Sequence, residues 1–284
     1  MPITYRHFSD KDISSAQALT ARHTWPLRAE DWRFMAQAGT GFVALDGDTV
    51  IGTALCWTYG TGFASLGTVT VSPAYRRRGL GRKLTSLVLE ALGSQVTFLH
   101  ASDRGRSLYE RLGFRVAGKI DQHLGTAFQP PLVPLPREER LRPLGAGDMP
   151  RLVELAGCAN GLDLSKILPE LMRNASGIAL DRDGELIGFS LFRRFGSGRT
   201  IGPVIAPPSA DSVRAKALIS HWLASNPGVC VRIDVPRDSG LSGWLETLGV
   251  PRVETGVTMV RSTTDVPVVD SDIKQFGIVN HVFC

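Results

Sequence analysis

The chain has 284 residues, of which 43% are hydrophobic and 21% charged, and its mean hydropathy is +0.02. This composition is typical of a folded globular protein, and the absence of any run of about 18 apolar residues excludes membrane-spanning helices. The formal net charge of +5 is dispersed except at one arginine triplet. Because no basic stripe with interleaved aromatics occurs, we expect no nucleic-acid partner.

Targeting signals and metal-binding patterns are also missing from the sequence. The stretch MPITYRHFSDKD at residues 1–12 lacks the basic and then apolar pattern of a secretion signal, so we expect a cytoplasmic protein without a membrane partner. No cysteine belongs to a CxxC pair or has a histidine at ligand spacing; the four are Cys56, Cys158, Cys230 and Cys284. We therefore predict buried or free thiols and no metal site.

The first half of the chain alternates apolar runs with amphipathic segments. The apolar runs predict strands at residues 4–8, 41–45, 50–59, 63–71 and 96–101. The amphipathic segments predict helices at residues 14–23, 29–37, 80–92 and 106–112. Strands and helices mixed in this way, with one hairpin-rich side, indicate an α/β fold with a mixed sheet.

A proline-rich segment divides the chain into two similar parts. The stretch QPPLVPLPREE at 129–139 has four prolines within seven residues, which predicts an extended linker over 129–138. FVALDGDTVIG at 42–52 matches GIALDRDGELIG at 177–188, and LYERLGF at 108–114 matches WLETLGV at 244–250. A third match pairs Val71-Ser72-Pro73 with Ile205-Ala206-Pro207. Three landmarks in one order predict a duplicated domain, with boundaries at 1–128 and 139–284.

The stretch VSPAYRRRGLGRKL at 71–84 combines dense positive charge with two glycines where a helix begins. Backbone N–H groups at a helix start lack partners and attract anions. Gly79 and Gly81 have no Cβ, so a ligand can approach these amides closely. The arginines at 76–78 add long-range attraction for phosphate oxygens. The residues are those of a diphosphate site, although a solvated basic turn would have the same composition.

The same loop resembles the acetyl-CoA loop of the GNAT N-acetyltransferase superfamily. It has the pattern R-x-x-G-x-G at 76–81, after a strand that ends in V-x-P. Downstream, a strand VTFLHASD and then DRGRSLYERLGF follow in the family's order, in which Tyr109, Gly113 and Phe114 fit the pattern. Asp103 stands where the family commonly has Asn, and Arg106 where it has a small residue. The match covers about residues 4–115.

The resemblance implies two tandem GNAT-like domains, each a twisted mixed sheet flanked by helices, with acetyl-CoA as co-substrate of the first. It implies that the strand before the loop splays from its neighbour and pairs with the pantetheine arm. It also implies that Tyr109 donates a proton to the departing thiolate. The implied cofactor-binding residues are Val69, Thr70, Val71, Arg76, Arg77, Arg78, Gly79, Leu80, Gly81, Arg82, Lys83 and Asp103.

The proton acceptor is less well defined, because the strand ASLGTVTV carries no acid where many relatives have a glutamate. The candidate proton acceptors are a water chain ending at a backbone carbonyl and four side chains, namely His100, Asp103, Glu30 and Asp31. We assign His100 as the candidate catalytic residue beside Tyr109. Aromatic and imidazole groups at His23, Trp25 and Trp32 either line the acceptor pocket or belong to the core.

The second half resembles the second domain of tandem GNAT proteins over about residues 141–261, and its cofactor loop is degenerate. In APPSADSVRAKAL at 206–218 the glycines and the arginine triplet are gone and Asp211 stands near the phosphate position, while Leu245 replaces the tyrosine. We predict that this half binds no CoA and packs against the first half, burying a sheet edge or closing the acceptor cleft. Asp234 or His221 would then shape the acceptor pocket, or serve only in salt bridges and at the surface. We expect the tail SDIKQFGIVNHVFC to add a last strand.

The leading interpretation is therefore an acetyl-CoA-dependent N-acetyltransferase acting on a primary amine. The amine is a small molecule or a peptide group, and the protein is a monomer or a homodimer. A CoA-binding regulatory or sensor module, which the missing acidic base allows, is the main alternative. A nucleic-acid binder that uses the basic loop is a third.

Overall fold

The computed structural model describes residues 2–21, 27–126, 130–262 and 269–283. Within these ranges the chain forms one 13-stranded mixed sheet with helices on both faces. No helix of the described chain is both long and apolar enough to cross a membrane. The predicted α/β class with a mixed sheet is thus confirmed, as are all the strands predicted for the first half.

The first half contributes six strands and four helices: β1 (Ile3–His7), α1 (Ile13–Thr20), α2 (Ala29–Ala38), β2 (Thr40–Asp46), β3 (Thr49–Tyr59), β4 (Phe63–Val71), α3 (Leu80–Leu92), β5 (Val96–Ala101), α4 (Asp103–Glu110) and β6 (Arg115–Thr126). The second half repeats this order: β7 (Glu139–Pro143), α5 (Met149–Asn160), α6 (Ile167–Met172), β8 (Ala175–Arg182), β9 (Glu185–Phe195), β10 (Gly198–Ala206), α7 (Val213–Ser225), β11 (Cys230–Pro236), α8 (Ser242–Thr247) and β12 (Arg252–Arg261). A last strand, β13 (Lys274–Gly277), follows as predicted for the tail.

Two predicted helix boundaries differ from the structure by three residues, and the others by no more than two. Helix α4 begins three residues before the predicted start, because Ser102 is extended and its carbonyl accepts from the amides of Gly105 and Arg106. Helix α1 ends at Thr20, and the predicted end near His23 lies outside the described residues, as does Trp25. Between the halves, residues 130–136 form neither helix nor strand.

The two halves exchange their last long strands, which the sequence did not indicate. The strand order is β1-β2-β3-β4-β5-β12-β6-β11-β10-β9-β8-β7. Strand β12 of the second half pairs antiparallel with β5 of the first, from Val257 opposite Ala101 to Arg261 opposite Thr97. Strand β6 of the first half pairs with β11 of the second. Each half therefore completes the sheet of the other, and the described strands form one continuous sheet.

Side chains alternate between two apolar layers, which places the helices on opposite faces of the sheet. Leu55 and Trp57 of β3 pack into one core with α1, α2, α5 and α6, whereas Ala54 and Cys56 face a second core with α3 and α4. Helices α7 and α8 cover the corresponding face of the second half. The first core is shared by both halves, so we call its side of the sheet the shared face and the other side the α3 face.

The exchanged strand supplies core side chains to the half that it enters, and this has a testable consequence. Met259 of β12 is fully buried on the α3 face in the core that contains Leu99 and Tyr109. Truncation of a buried Met to Ala typically costs about 2–5 kcal/mol. We expect Met259→Ala to lower the free energy of unfolding in urea by an amount in that range. Val253→Ala, at a 47% exposed position of the same strand, should change it by no more than about 0.5 kcal/mol. Equal effects of the two substitutions would contradict the exchange.

Candidate functional site

Strands β4 and β5 separate part-way along their length. They pair in parallel only from Phe63 opposite Val96 to Ser65 opposite Phe98. Beyond Ser65, β4 carries a bulge in which Thr68 has φ 50° and its carbonyl accepts from the Thr53 hydroxyl at 2.7 Å. No described strand pairs with this edge of β4 over residues 66–71. The predicted pantetheine contacts, Val69 to Val71, therefore lie on an edge that can accept an added strand.

The arginine-glycine loop follows this edge and turns into α3. Gly79 adopts a left-handed conformation with φ 81°, and its carbonyl accepts the first helical bond, from the amide of Lys83. Within the described chain, no backbone carbonyl or side chain accepts from the amides of residues 77–82. Arg77 also has a positive φ, of 62°. Six successive free amides at the start of a 13-residue helix form an anion cradle of the kind that holds phosphate.

The loop side chains leave this cradle open. Arg76, Arg77 and Arg78 are exposed, and none of the described carboxylates lies within ion-pairing distance of them. The Arg78 guanidinium lies 5.1 Å above the ring of Tyr75, whose hydroxyl donates to Asp46 at 2.7 Å. The positive charges are therefore available to an anion that reaches the amides.

Tyr109 lies on the α3 face, behind the separated strands. Its side chain is 8% exposed and packs edge-on against Phe114, with ring centroids 5.8 Å apart. Burial raises the pKa of the Tyr109 phenol. The hydroxyl makes no hydrogen bond to any residue in the described ranges. Such a phenol stays protonated near neutral pH.

His100 lies on the shared face at the end of β5, where it lines a cavity of about 750 Å³. Its Nδ1 lies 3.1 Å from the hydroxyl of Thr258 on the exchanged strand, and its Nε2 is enclosed with no hydrogen-bond partner among the described residues. Burial lowers the pKa of His100 to about 3, helped by the nearby His281 ring. His100 is therefore a neutral imidazole whose Nε2 is free to accept or donate a hydrogen bond.

Both halves contribute to the wall of this cavity. Most of its lining is apolar, from Phe98, Val116, Ile120, Leu162, Pro236, Val269 and Ile278. The polar lining residues are His100, Lys119, Asn160, Arg237, Asp238, Thr258 and Gln275, and the enclosed Nε2 of Gln275 has no hydrogen-bond partner in the described chain. A cavity with a largely apolar wall and converging polar groups is the usual form of a small-molecule site.

The other predicted proton acceptors lie away from the cavity or are already bonded. Asp31 is buried, and its carboxylate accepts from Arg28 and from the amide of Gly196, which ties α2 to the second half. Glu30 is exposed beside Arg33. Asp103 is exposed in the first turn of α4. The structure thus brings only His100 of the four to the cavity wall.

The other acceptor-pocket candidates lie in the core, on the opposite face of the sheet, or near the cavity. Trp32 is fully buried in the shared core, stacks on Phe8 and belongs to the core rather than to the pocket. His221 lies on α7, on the opposite face of the sheet, against Trp222. Asp234 is buried near the cavity, where Arg232 donates to its carboxylate at 2.7 Å.

The corresponding cleft of the second half is filled by the chain itself. Strands β10 and β11 pair from Arg199 to Ile201 and then separate, as β4 and β5 do. There β13 pairs with the freed edge of β10, from Val204 to Ala206. Asp211 precedes α7 and forms an ion pair with Lys216 at 2.6 Å, and Leu245 is fully buried.

Comparison with known proteins agrees with this geometry. A model of the GNAT acetyltransferase family matches residues 10–114, and a GNAT acetyltransferase domain model matches residues 152–273. The chain belongs to the GNAT acetyltransferases. It is a tandem protein in which each half carries one domain, and it is an N-acetyltransferase.

Individual known proteins are similar to this chain over most of its length. The uncharacterized N-acetyltransferase YitH of Bacillus subtilis is 29% identical over 241 residues, which cover 81% of this chain and 80% of YitH. A crystal structure from Pyrococcus horikoshii has a TM-score of 0.80 and 19% identity, and the match covers 99% of this chain and 96% of that one. A tandem GNAT protein from the clavulanic acid biosynthesis pathway has a TM-score of 0.67 at 14% identity, with 93% and 99% covered. These two structures share the fold.

Proposed function

We propose that this GNAT protein transfers the acetyl group of acetyl-CoA to a primary amine by direct attack, with chemistry confined to its first half. The observation that carries the proposal is the difference between two equivalent clefts. The first half has a free β4 edge followed by six free amides, whereas in the second half β13 covers the same edge of β10. We infer that the second half is structural and completes the acceptor cavity.

The residues of the first half fit acetyl-CoA. The amides of 77–82 would hold the pyrophosphate, with Arg76 to Lys83 supplying positive charge around it. The β4 edge at 69–71 would bond the pantetheine arm as an added strand. Acetyl-CoA supplies a thioester whose carbonyl carbon is open to attack by an amine. No metal is needed for this step.

Proton transfer would use groups on both faces of the sheet. The amine nitrogen forms a bond to the carbonyl carbon and loses a proton to the neutral imidazole of His100 on the shared face. The carbon–sulfur bond breaks, and the sulfur takes the proton of the Tyr109 hydroxyl on the α3 face. Exchange with water returns both side chains to their starting state. The largely apolar wall beside His100 favours an amine carried on an apolar body.

Calorimetry and thiol release test this proposal. We expect one acetyl-CoA to bind per chain, and free thiol to appear with at least one amine from a panel of 2-phenylethylamine, spermidine, an aminoglycoside, a free amino acid and a lysine peptide. A thermal shift with acetyl-CoA but not with double-stranded DNA should accompany binding, because a ligand at 100 times its Kd stabilises a fold by about 2.7 kcal/mol. Binding without thiol release would instead indicate a CoA-binding sensor. The absence of acetyl-CoA binding would contradict both the acetyltransferase and the sensor interpretation.

A further inference from the structure

We propose that His281, on the carboxyl-terminal tail at residues 278–283, is a positioning residue for acetyl transfer in the first half, where it and Asp234 complete the surroundings of His100 and its ring fixes the place of the His100 ring. The inference rests on the proposed function, because it assigns partners to the imidazole that takes the proton of the amine. All of these partners come from the second half or from the tail. The second half would thus complete the active site of the first.

The tail runs from the second half to the first along the shared face. It starts at β13, and the amide of Ile278 donates to the carbonyl of Asp234 at 3.0 Å. It ends against β4, where the Ser65 hydroxyl donates to the carbonyl of Val282 at 3.2 Å. Val282 also lies 3.3 Å from where a Cβ on Gly67 would be. The tail therefore crosses from β11 to β4 beside the place where β4 and β5 separate.

Several contacts fix the tail in this position. The buried Arg193 guanidinium donates to the carbonyl of Val279 at 3.1 Å. The Asn280 side chain accepts from the amides of Val282 and Phe283 at 2.8 and 3.0 Å. The Phe283 ring is fully buried, with its centroid 4.9 Å from that of Trp57. A backbone held at both ends gives the His281 ring a defined place.

That place is beside His100. The two imidazole centroids are 5.6 Å apart. Gly256 on the exchanged strand lies against the His281 ring, since a Cβ there would be in contact with Cε1 of His281 at 3.4 Å and with the carbonyl oxygen of Ala101 at 3.5 Å. The Nε2 atoms of both histidines are enclosed, and neither has a hydrogen-bond partner in the described ranges. Two enclosed ring nitrogens without partners are costly unless a ligand or proton uses them.

Charges of both signs surround the pair, and the Asp234 carboxylate favours a proton on either ring. Nε2 of His281 lies 3.7 Å from a carboxylate oxygen of Asp234. Burial acts to raise the pKa of Asp234, but the adjacent Arg232 and His281 keep it below its usual range, so the carboxylate stays ionised. Burial, together with Arg232, lowers the pKa of His281, and Asp234 acts against this. Further charged groups near the site are Arg193 and, on the cavity wall, Lys119, Arg237 and Asp238. Without the carboxylate, a proton on His100 would leave an uncompensated charge in an enclosed site.

A first test needs only the protein. Imidazole ¹⁵N shifts of His100 at pH 7 report its tautomer and hydrogen bonding, and we expect them to change in His281→Asn. The matched control is His221→Asn, which removes another second-half imidazole from the opposite face and should leave the His100 signals in place. Unchanged His100 shifts in His281→Asn, with the tail still folded, would overturn the positioning role.

A second test uses turnover with the most active amine of the panel. Loss of a general base costs about 10² to 10⁴ in rate, and loss of its partner should cost less, about 30-fold in kcat. In His281→Ala we expect the KM for acetyl-CoA to stay within about twofold of the wild-type value and the ascending limb of the kcat–pH profile to move. Added imidazole should restore part of the rate of this variant. An unchanged kcat and pH profile would overturn the inference. A wild-type protein that binds no acetyl-CoA would instead overturn the proposed function. The ¹⁵N shifts would still test the contact between His281 and His100 independently of that result.

Discussion

Replacing Gly81 by Asp should abolish binding of acetyl-CoA, with a loss of affinity of at least about 100-fold, or about 2.7 kcal/mol. Gly81 is the second residue of α3, among the six free amides. A side chain there has room in the folded protein, because its Cβ would lie 3.7 Å from Leu108 and 3.8 Å from Val71. The new carboxylate would compete for the amides and repel a pyrophosphate. Isothermal titration with acetyl-CoA measures the loss.

The control for this substitution is Gly243→Asp. Gly243 is likewise the second residue of its helix, α8 of the second half, and no atom lies within 4 Å of where its Cβ would be. We expect wild-type affinity from Gly243→Asp and little change in Tm from either variant. An affinity near wild type in Gly81→Asp would mean that the cofactor does not use this cradle.

Tyr109→Phe should lower kcat by about 100-fold while the affinity for acetyl-CoA stays within about twofold, as expected when a general acid is removed. The hydroxyl makes no hydrogen bond to the described chain, so its loss should not reduce stability. Burst and steady-state thiol release measure kcat, and titration measures affinity. A parallel fall of turnover and affinity would indicate that Tyr109 binds the cofactor instead.

Tyr5→Phe is the matched control for the tyrosine substitution. Tyr5 packs against the same core from β1, the strand at the far edge of the sheet. This substitution also removes one phenolic hydroxyl. We expect its kcat and affinity to equal those of the wild type, which would separate a proton-donor role of Tyr109 from a general effect on the core.

Local features of the site could be predicted from the sequence, because they depend on the backbone of neighbouring residues. Glycines at 79 and 81 and the start of an amphipathic helix define an amide cradle without any tertiary contact. The boundaries of β4 and α3 are those predicted, and the loss of the cradle in the second half follows from Asp211 and the missing glycines.

Non-local features could not be predicted. Strands β6 and β12 occupy equivalent places in the two copies, so an alternating pattern cannot tell which of them pairs with β5. The tail was predicted only as a last strand, and its path to β4 depends on contacts of Phe283 and Ser65 that are distant in sequence. Nothing near His281 in the sequence marks it as a neighbour of His100.

A structure of the protein with bound CoA tests the central claim most directly. We expect the pyrophosphate on the amides of residues 77–82, the pantetheine along β4 at Val69 to Val71, and the sulfur between Tyr109 and His100, with β13 still paired to β10. CoA bound at the start of α7 in the second half, or bound away from the α3 loop, would contradict the account.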